Sequence, residues 1–224
     1  MLNLPLGLLL AFTILQSGPS ETAAIERDAA ADFAEELQSN LELLGEIAAM
    51  GARDQYARRL LQRHWAPDGV SGSELETYHE AIWAEVTRID EANEARLRQI
   101  LESTSWRQLA QLDRDAYQAA WLVVQHSPDA DFQAEALREI EPLAREGLVR
   151  GSSYALLYDR VALGRGDNQL YGSQLGCVDG EWAVEPIDDP EHVEERRAQF
   201  GLGPMDEYVA RVIEHSPGCM TSSQ

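Results

Sequence analysis

Apolar residues recur every three or four positions along most of this chain, and this spacing restricts the possible folds more than any other feature. A period near 3.6 residues places such side chains on one face of a helix. Two stretches show it best: Phe33, Leu37, Leu41, Leu44 and Ile47, and then Leu75, Ile82, Val86, Ile89, Leu97 and Ile100. The one strand-like feature is a pair of short segments around Asp179-Gly180, a preferred two-residue hairpin turn. We therefore predict a mainly α fold: a single helical domain with one β-hairpin near residues 169–187.

Local signals predict where several helices begin and end. Gly51 is expected to interrupt the first helix, and the Ser73/Glu76 pair has the spacing of a capping box at the start of another. Asp113 is expected to cap a helix over residues 114–126, which places His126 at a helix C-terminus. The dipole there favours a protonated imidazole. Ser127-Pro128 is expected to begin the next helix, with serine as the N-cap.

Length and charge exclude some functions. A chain of 224 residues can bury one substantial core, and we predict one domain over residues 24–216 with a flexible tail over 217–224. The formal net charge is −21, and a field of that sign repels phosphate backbones, so nucleic acid is not expected as a partner. All basic residues are arginine, which excludes lysine Schiff bases and a P-loop lysine.

The amino-terminal segment resembles an export signal. Met1–Gln16 is apolar and charge-free, and serine, glycine and proline follow it. It is short for a transmembrane helix, so we predict a signal peptide over residues 1–23 and a periplasmic or secreted protein that is not membrane-bound after cleavage. An uncleaved anchor or a misassigned start are the alternatives. Export would also permit a disulfide between Cys177 and Cys219.

Uncommon polar residues concentrate between Trp121 and Gln174, beside large apolar neighbours. Buried polar groups need partners, so these side chains either satisfy one another or bind a ligand. Glutamine both donates and accepts hydrogen bonds, which suits an uncharged polar or peptide-like ligand. An arginine fork suits a carboxylate or phosphate. The predicted ligand-binding residues are Gln125, Gln133, Arg160, Gln169, Tyr171 and Gln174.

His126 is the candidate for proton transfer, because it is the histidine inside this polar stretch. A carboxylate is expected to orient its ring, and Asp54 and Asp159 are the two candidates. The alternative is a histidine that only stabilises a helix end. His126, Asp129 and Asp131 match no strong metal-site spacing, so neither a metal nor another cofactor is predicted.

Three motifs follow one another in the chain: the Gln125-His126 pair, the Asp159-Arg160-Val161 triplet and the run Gln169-Leu-Tyr-Gly-Ser-Gln174. Together with the segments 50–55, 90–93 and 195–208, they resemble an uncharacterised bacterial domain family, a domain of unknown function. The family pattern in the last run has threonine where Ser173 stands here, a change that keeps the hydroxyl. The resemblance spans roughly residues 50–208 and implies no particular activity.

Three functions remain open from the sequence. The first is an exported domain that binds a small polar or peptide-like ligand through the glutamine, tyrosine, arginine and histidine cluster. The second is a hydrolase in which His126 acts as general acid or base with an aspartate partner. The third is a structural protein whose polar cluster is an internal latch.

Overall fold

The computed structural model describes residues 21–216, with side chains described from Arg27 onward. Residues 1–20 of the predicted signal peptide, the tail after Ser216 and Cys219 of the predicted disulfide therefore lie outside the described residues. The chain divides into two compact units, Met1–Leu43 and Leu44–Gln224. The described part of the first unit is helical, and the second unit contains the helices and the hairpin discussed below.

The prediction of a mainly α fold with one hairpin is confirmed. The elements in chain order are α1 (Glu21–Arg63), α2 (Ser73–Leu101), α3 (Trp106–Leu112), α4 (Arg114–His126), α5 (Ala130–Arg145), α6 (Gly151–Gly164), β1 (Leu175–Val178), β2 (Glu181–Val184), a 3-10 turn (Pro190–His192), α7 (Val193–Gln199) and α8 (Met205–His215). None of the helices described in residues 21–216 combines the length and apolar character needed to cross a membrane.

Helix α4 lies at the centre of the second unit. It packs against α2, α3, α5 and α6. Its Ala120 and Val124 side chains have no exposed surface, and neither do Leu109 of α3 and Leu157 of α6. Burial of these apolar groups supplies the main stabilisation of the helical core, since apolar area removed from water is worth roughly 25 cal/mol per Å². His126 is the last residue of α4, so the core holds its backbone in a fixed position.

The expected break at Gly51 is wrong, because α1 continues through it to Arg63. Gly51 is buried where α1 meets α4, and a Cβ atom at this position would lie 2.7 Å from the Cβ of Ala119. The glycine therefore permits close approach of two helices instead of ending one. This continuity places Asp54 and Arg58 one turn apart on a rigid helix facing α4.

Two of the helix caps predicted from the sequence are not the ones in the structure. Helix α2 begins after Gly72, and no side chain caps it, so the Ser73/Glu76 capping box does not form. Helix α5 is capped by Asp129, whose carboxylate accepts from the amides of Asp131 and Phe132, and not by Ser127. The carboxylate suits the helix N-terminus because it satisfies two free amides and the dipole together. Asp113 caps α4 as predicted.

The hairpin forms at the predicted turn. Leu175 pairs with Val184 and Val178 with Glu181 in an antiparallel ladder. Asp179 and Gly180 have φ values of 54° and 84°, the positive pair that a type I′ turn requires. The regular ladder is shorter than the predicted span, and an isolated bridge joins Gln169 to Ile187 beyond it.

Candidate functional site

The candidate site is a histidine–aspartate pair between α4 and α1. Nδ1 of His126 lies 2.8 Å from Oδ1 of Asp54. The Asp54 side chain is 1% exposed and the His126 side chain is 19% exposed. A buried carboxylate accepts a hydrogen bond from Nδ1–H, which leaves the lone pair of the neutral imidazole on Nε2. Nε2 has no hydrogen-bond partner among residues 27–216, so it is available to a proton donor from solvent or a ligand.

Helix α1 also supplies the cation that balances Asp54. Nη1 of Arg58 lies 2.9 Å from Oδ1 of Asp54, and the Gln55 amide donates to Oδ2 at 2.7 Å. The Arg58 guanidinium also forms two hydrogen bonds, of 3.1 and 2.9 Å, to the carboxylate of Asp90 on α2. The fork geometry of arginine makes this double contact favourable. Asp54 is thus fixed from two sides and presents one oxygen to His126.

The electrostatic surroundings keep His126 neutral. Burial lowers its pKa most strongly, the hydrogen bond that it donates to Asp54 raises it, and the charges of Arg58 and Arg160 lower it further, so the net pKa is below the ordinary value. Burial raises the pKa of Asp54, but the hydrogen bond and charge of His126, together with Arg58 and Gln55, lower it overall. The dipole argument from the sequence therefore predicted the wrong direction for His126. Desolvation and two guanidinium groups outweigh the helix end.

Arg160 on α6 is the unpaired member of this site. Its Nε is buried and lacks a hydrogen-bond partner, and no ion pair within residues 27–216 includes its guanidinium. Burial lowers its pKa, the charge of Arg58 lowers it further, and only Tyr208 opposes them. Withdrawing a cation from water without a counter-charge is costly. Arg160 therefore leaves positive charge uncompensated beside His126.

Two of the predicted glutamines lie on either side of His126 in the chain and behave differently. Gln133 is buried, and its amide donates to the carbonyl of Ser127 at 2.9 Å and, more weakly, to those of Val124 and Gln125. It satisfies carbonyls at the α4 C-terminus. Gln125 is also buried, but its Oε1 has no partner in the described structure. Gln125 therefore keeps hydrogen-bonding capacity that Gln133 has used.

Asp159 lies elsewhere, in a ring of backbone amides. Its side chain has no exposed surface. One oxygen accepts from the amides of Leu170 and Tyr171 at 2.8 and 3.0 Å, and the other from Tyr171 and Ser173 at 3.2 and 2.9 Å. This carboxylate is saturated by the loop that leads into β1. Of the two aspartates considered for His126, only Asp54 contacts it within the described residues.

Gln169 and Gln174 connect the two ends of the hairpin. Gln169 has no exposed surface, accepts from the Gln174 amide at 2.9 Å, and donates to the carbonyls of Gln174 and Glu185 at 3.1 and 2.7 Å. The Gln174 side chain donates to Ser173 Oγ at 3.1 Å. These bonds consume most of the hydrogen-bonding capacity that a ligand would have used.

Tyr171 belongs to an aromatic cluster. Its ring makes edge-on contacts with Tyr154, Tyr158 and Phe200, at centroid distances of 6.2, 5.8 and 5.6 Å. Burial, with the charges of neighbouring tyrosines and Asp159, raises the pKa of its hydroxyl. Tyr171 therefore stays neutral and is packed as a core residue, away from the pair formed by Asp54 and His126.

The three residues weighed as a metal set do not converge. Asp129 caps α5 and binds Arg98 at 2.6 Å, and Asp131 is exposed in the first turn of α5. Among the described residues no group of three histidine, cysteine, aspartate or glutamate side chains is placed to hold a metal ion.

Two residues that support the site, Arg197 and Tyr208, belong to the closing segment of the family resemblance but were assigned no role from the sequence. Arg197 of α7 is 1% exposed and donates to the carbonyls of Tyr171 at 2.6 Å and Gly203 at 2.9 Å. The Tyr208 hydroxyl of α8 donates to the carbonyl of Ser173 at 2.8 Å. Tyr208 also lies near enough to Arg160 for the arginine to lower its pKa, although burial raises that pKa overall. Arg197 and Tyr171 are 26 residues apart in the chain, and Tyr208 and Ser173 are 35 residues apart.

Two clefts of the second unit are lined by residues other than His126. A mostly apolar groove of about 280 Å³ runs between α1 and α2 beside Leu60 and Ile89. A polar cleft of about 380 Å³ lies beside Tyr158 and Asp188. At the candidate site itself, the His126 side chain is 19% exposed, so solvent reaches the pair at this ring.

The fold and site define a mainly helical domain with an Asp–His pair and an adjacent unpaired arginine. This chain belongs to the family of unknown function DUF6624, whose model matches residues 42–221. The family resemblance inferred from the motifs is thereby confirmed. No curated protein and no solved structure matches the chain.

Proposed function

We propose that this domain is a hydrolase in which His126 acts as a general base toward water. The observation that supports the proposal is the 2.8 Å contact between His126 Nδ1 and Asp54 Oδ1, with Nε2 left without a partner in the described residues. A neutral imidazole held by a carboxylate is the arrangement from which proton transfer at Nε2 is efficient.

Each residue of the pair has a separate task in this proposal. Nε2 of His126 takes a proton from water while the water oxygen bonds to the electrophilic atom of the substrate. The bond to the leaving group then breaks, and the leaving group takes the proton from Nε2. Asp54 holds the ring and stabilises the transient imidazolium, and Arg58 holds Asp54 against α1 and α2. Because its pKa is lowered, the His126 imidazole is unprotonated at neutral pH and can accept a proton.

Hydrolysis of a panel of chromogenic esters, phosphate monoesters and anilides tests the proposal. The variants are His126→Asn, Asp54→Asn and, as a matched control, His192→Asn. His192 also contacts an aspartate, Asp189 at 2.9 Å, but it is exposed on the 3-10 turn. Positioned proton transfer contributes roughly 10²–10⁴-fold, so His126→Asn should lose that factor in kcat. The His192 variant should retain full activity.

The pH profile gives a second criterion. Activity of the wild-type protein should decline only below the ordinary imidazole range, because burial and the two arginines lower the pKa of His126. No turnover on the whole panel, or turnover that His126→Asn leaves unchanged, would overturn the proposal.

A second candidate is a ligand-binding domain without catalysis, in which the same residues recognise a polar group. The unpartnered Oε1 of Gln125 and Nε of Arg160 favour it, because both are buried and ready to bond. Gln133, Gln169 and Gln174 contribute less to this candidate, since their side-chain amides already donate to backbone carbonyls or, for Gln174, mainly to the Ser173 hydroxyl. A ligand that binds the His126→Asn variant and is not turned over by the wild type would distinguish it from the hydrolase.

A further inference from the structure

Arg160 differs from the other arginines around the site in having no counter-ion among the residues that the structure describes. Arg58 contacts Asp54 and Asp90, and Arg98 on α2 contacts Glu94 and Asp129. The buried Nε of Arg160 has no partner, and no carboxylate of residues 27–216 lies within ion-pair distance of its guanidinium. In a chain with a formal net charge of −21, acidic side chains are abundant, so a buried cation without a carboxylate partner is unexpected.

The neighbours of Arg160 accentuate this charge. The charges of Arg58 and Arg160 both disfavour protonation of the His126 imidazole, and the charge of Arg58 also lowers the pKa of Arg160. Asp54 and Asp90 are already held by Arg58, and Asp159 is saturated by backbone amides. None of these three carboxylates is therefore free to neutralise Arg160.

We propose that Arg160 is the receptor for an oxyanion group of the substrate, a carboxylate or a phosphate, which it holds next to the pair formed by Asp54 and His126. This inference rests on the proposed function and adds the substrate class. A guanidinium donates two parallel N–H bonds to such a group, and the buried Nε is one of the donors in that fork. The oxyanion supplies the counter-charge that the fold lacks.

Occupation of the site has a further consequence for His126. An anion on Arg160 removes part of the positive potential that lowers the pKa of the imidazole. Binding therefore raises that pKa and strengthens Nε2 as a base in the complex. Substrate binding and base strength are coupled through the same guanidinium.

The first experiment uses inorganic phosphate as the probe and NMR of the His126 ring in the full chain. Titration at low ionic strength should give a saturable shift of the His126 resonances and a rise in its pKa. Arg160→Gln should weaken phosphate binding at least tenfold. Arg114→Gln is the control, because Arg114 is an exposed arginine that lines a different cleft. Equal weakening by both variants, or no saturable shift, would overturn the assignment of Arg160.

The second experiment separates the two proposals. The substrates are p-nitrophenyl acetate and p-nitrophenyl hemisuccinate, which share the leaving group and the reacting carbonyl and differ by one carboxylate, with p-nitrophenyl phosphate as the phosphate arm. Wild type should have a lower KM for the anionic esters. Arg160→Gln should remove this preference, so that the ratio of the KM values for the acetate and hemisuccinate esters falls toward one. A retained preference in Arg160→Gln would overturn the oxyanion inference, whatever His126→Asn does.

The results for Arg160→Gln and His126→Asn distinguish failure of the oxyanion site from failure of the proposed general base. If Arg160→Gln loses phosphate binding while His126→Asn keeps full turnover, the oxyanion site stands and the proposed general base fails. If His126→Asn loses turnover while phosphate binding is independent of Arg160, the base stands and the oxyanion inference fails. The conservative variant Arg160→Lys should restore part of the phosphate affinity, because it restores charge without the fork.

Discussion

Asp54 and His126 lie 72 residues apart in the chain, yet their side chains form a 2.8 Å hydrogen bond. The contact depends on Gly51, which lets α1 approach α4 at Ala119. One helical turn along from Gly51 toward the C-terminus, Asp54 reaches the last residue of α4. The packing of two helices therefore builds the pair, and no local motif does so.

The pair should make the stability of the protein depend on pH in the weakly acidic range. The folded-state pKa of His126 is lowered from its ordinary value of 6.5. The unfolded chain therefore binds a proton first as the pH falls, so stability is complete above about pH 6.5 and decreases below it. One such group contributes a slope of at most about 1.4 kcal/mol per pH unit.

Urea unfolding at pH 7.5, 6.0 and 5.0 measures this slope. His126→Asn should flatten it, because the variant has no imidazole to protonate. His215→Asn is the comparison, since His215 is exposed on α8. The pKa of Asp54 is lowered from its ordinary value of 3.8, so this carboxyl group does not titrate in the window. A slope that survives in His126→Asn would mean that another group titrates there.

Removing the charge of Arg160 and removing the charge of Arg58 should change the free energy of unfolding in opposite directions. Arg160→Met removes a cation without a counter-ion, and we expect stability to rise by about 1 kcal/mol, as at other sites kept at some cost to the fold. Arg58→Met strands the carboxylates of Asp54 and Asp90, and breaking such a pair costs about 3 kcal/mol. Thermal and urea unfolding of both variants at pH 7.5 compare them. Clear destabilisation by Arg160→Met would mean that its charge is satisfied within the fold.

The sequence predicted the elements well and their contacts poorly. Helical spacing, the Asp113 cap and the Asp179-Gly180 turn are local signals, and the structure has all three. Gly51 misled the prediction because a glycine that ends a helix and one that permits close packing look the same in sequence. The burial that lowers the pKa of His126 also depends on tertiary packing, whereas the dipole that argued for the opposite direction is local.

The distinction between local signals and tertiary packing also explains which candidate residues lie together at the site. Asp54 and Asp159 were equivalent partners for His126 in the sequence, because both are aspartates on predicted helices. Their bonding separates them: Asp159 accepts from three backbone amides in the loop after α6, and Asp54 faces α4. Arg197 and Tyr208 escaped notice because their buried contacts are formed by α7 and α8 folding back on the hairpin loop.

Removing the Asp159 carboxylate should be among the most destabilising single changes in the chain. Asp159→Ala leaves the amides of Leu170, Tyr171 and Ser173 buried without an acceptor. Hydrogen bonds to a charged group are worth roughly 1.5–3 kcal/mol each, so a loss of about 3 kcal/mol or more is expected. Asp159→Asn keeps one acceptor oxygen and should lose less. Urea unfolding of the two variants measures the order, and equal losses would contradict the backbone-amide account.

Gln169 should control the hairpin locally, more than the fold as a whole. Its side chain contacts Gln174 before β1 and Glu185 after β2, so it closes the open end of the ladder opposite the Asp179-Gly180 turn. Gln169→Ala leaves the Gln174 amide and the Glu185 carbonyl without their partner, while the Gln174 carbonyl still accepts from the Glu185 amide. The change should destabilise the hairpin by about 2 kcal/mol, the range for a stranded buried polar group. Amide hydrogen exchange should then speed up in residues 175–184 while the amides of α4 keep their protection, because local opening does not require global unfolding.

The control for this experiment is Gln199→Ala, an exposed change at the end of α7, which should leave the exchange rates of both regions unaffected. Equal acceleration in α4 and in the hairpin would show instead that Gln169 supports the whole helical core.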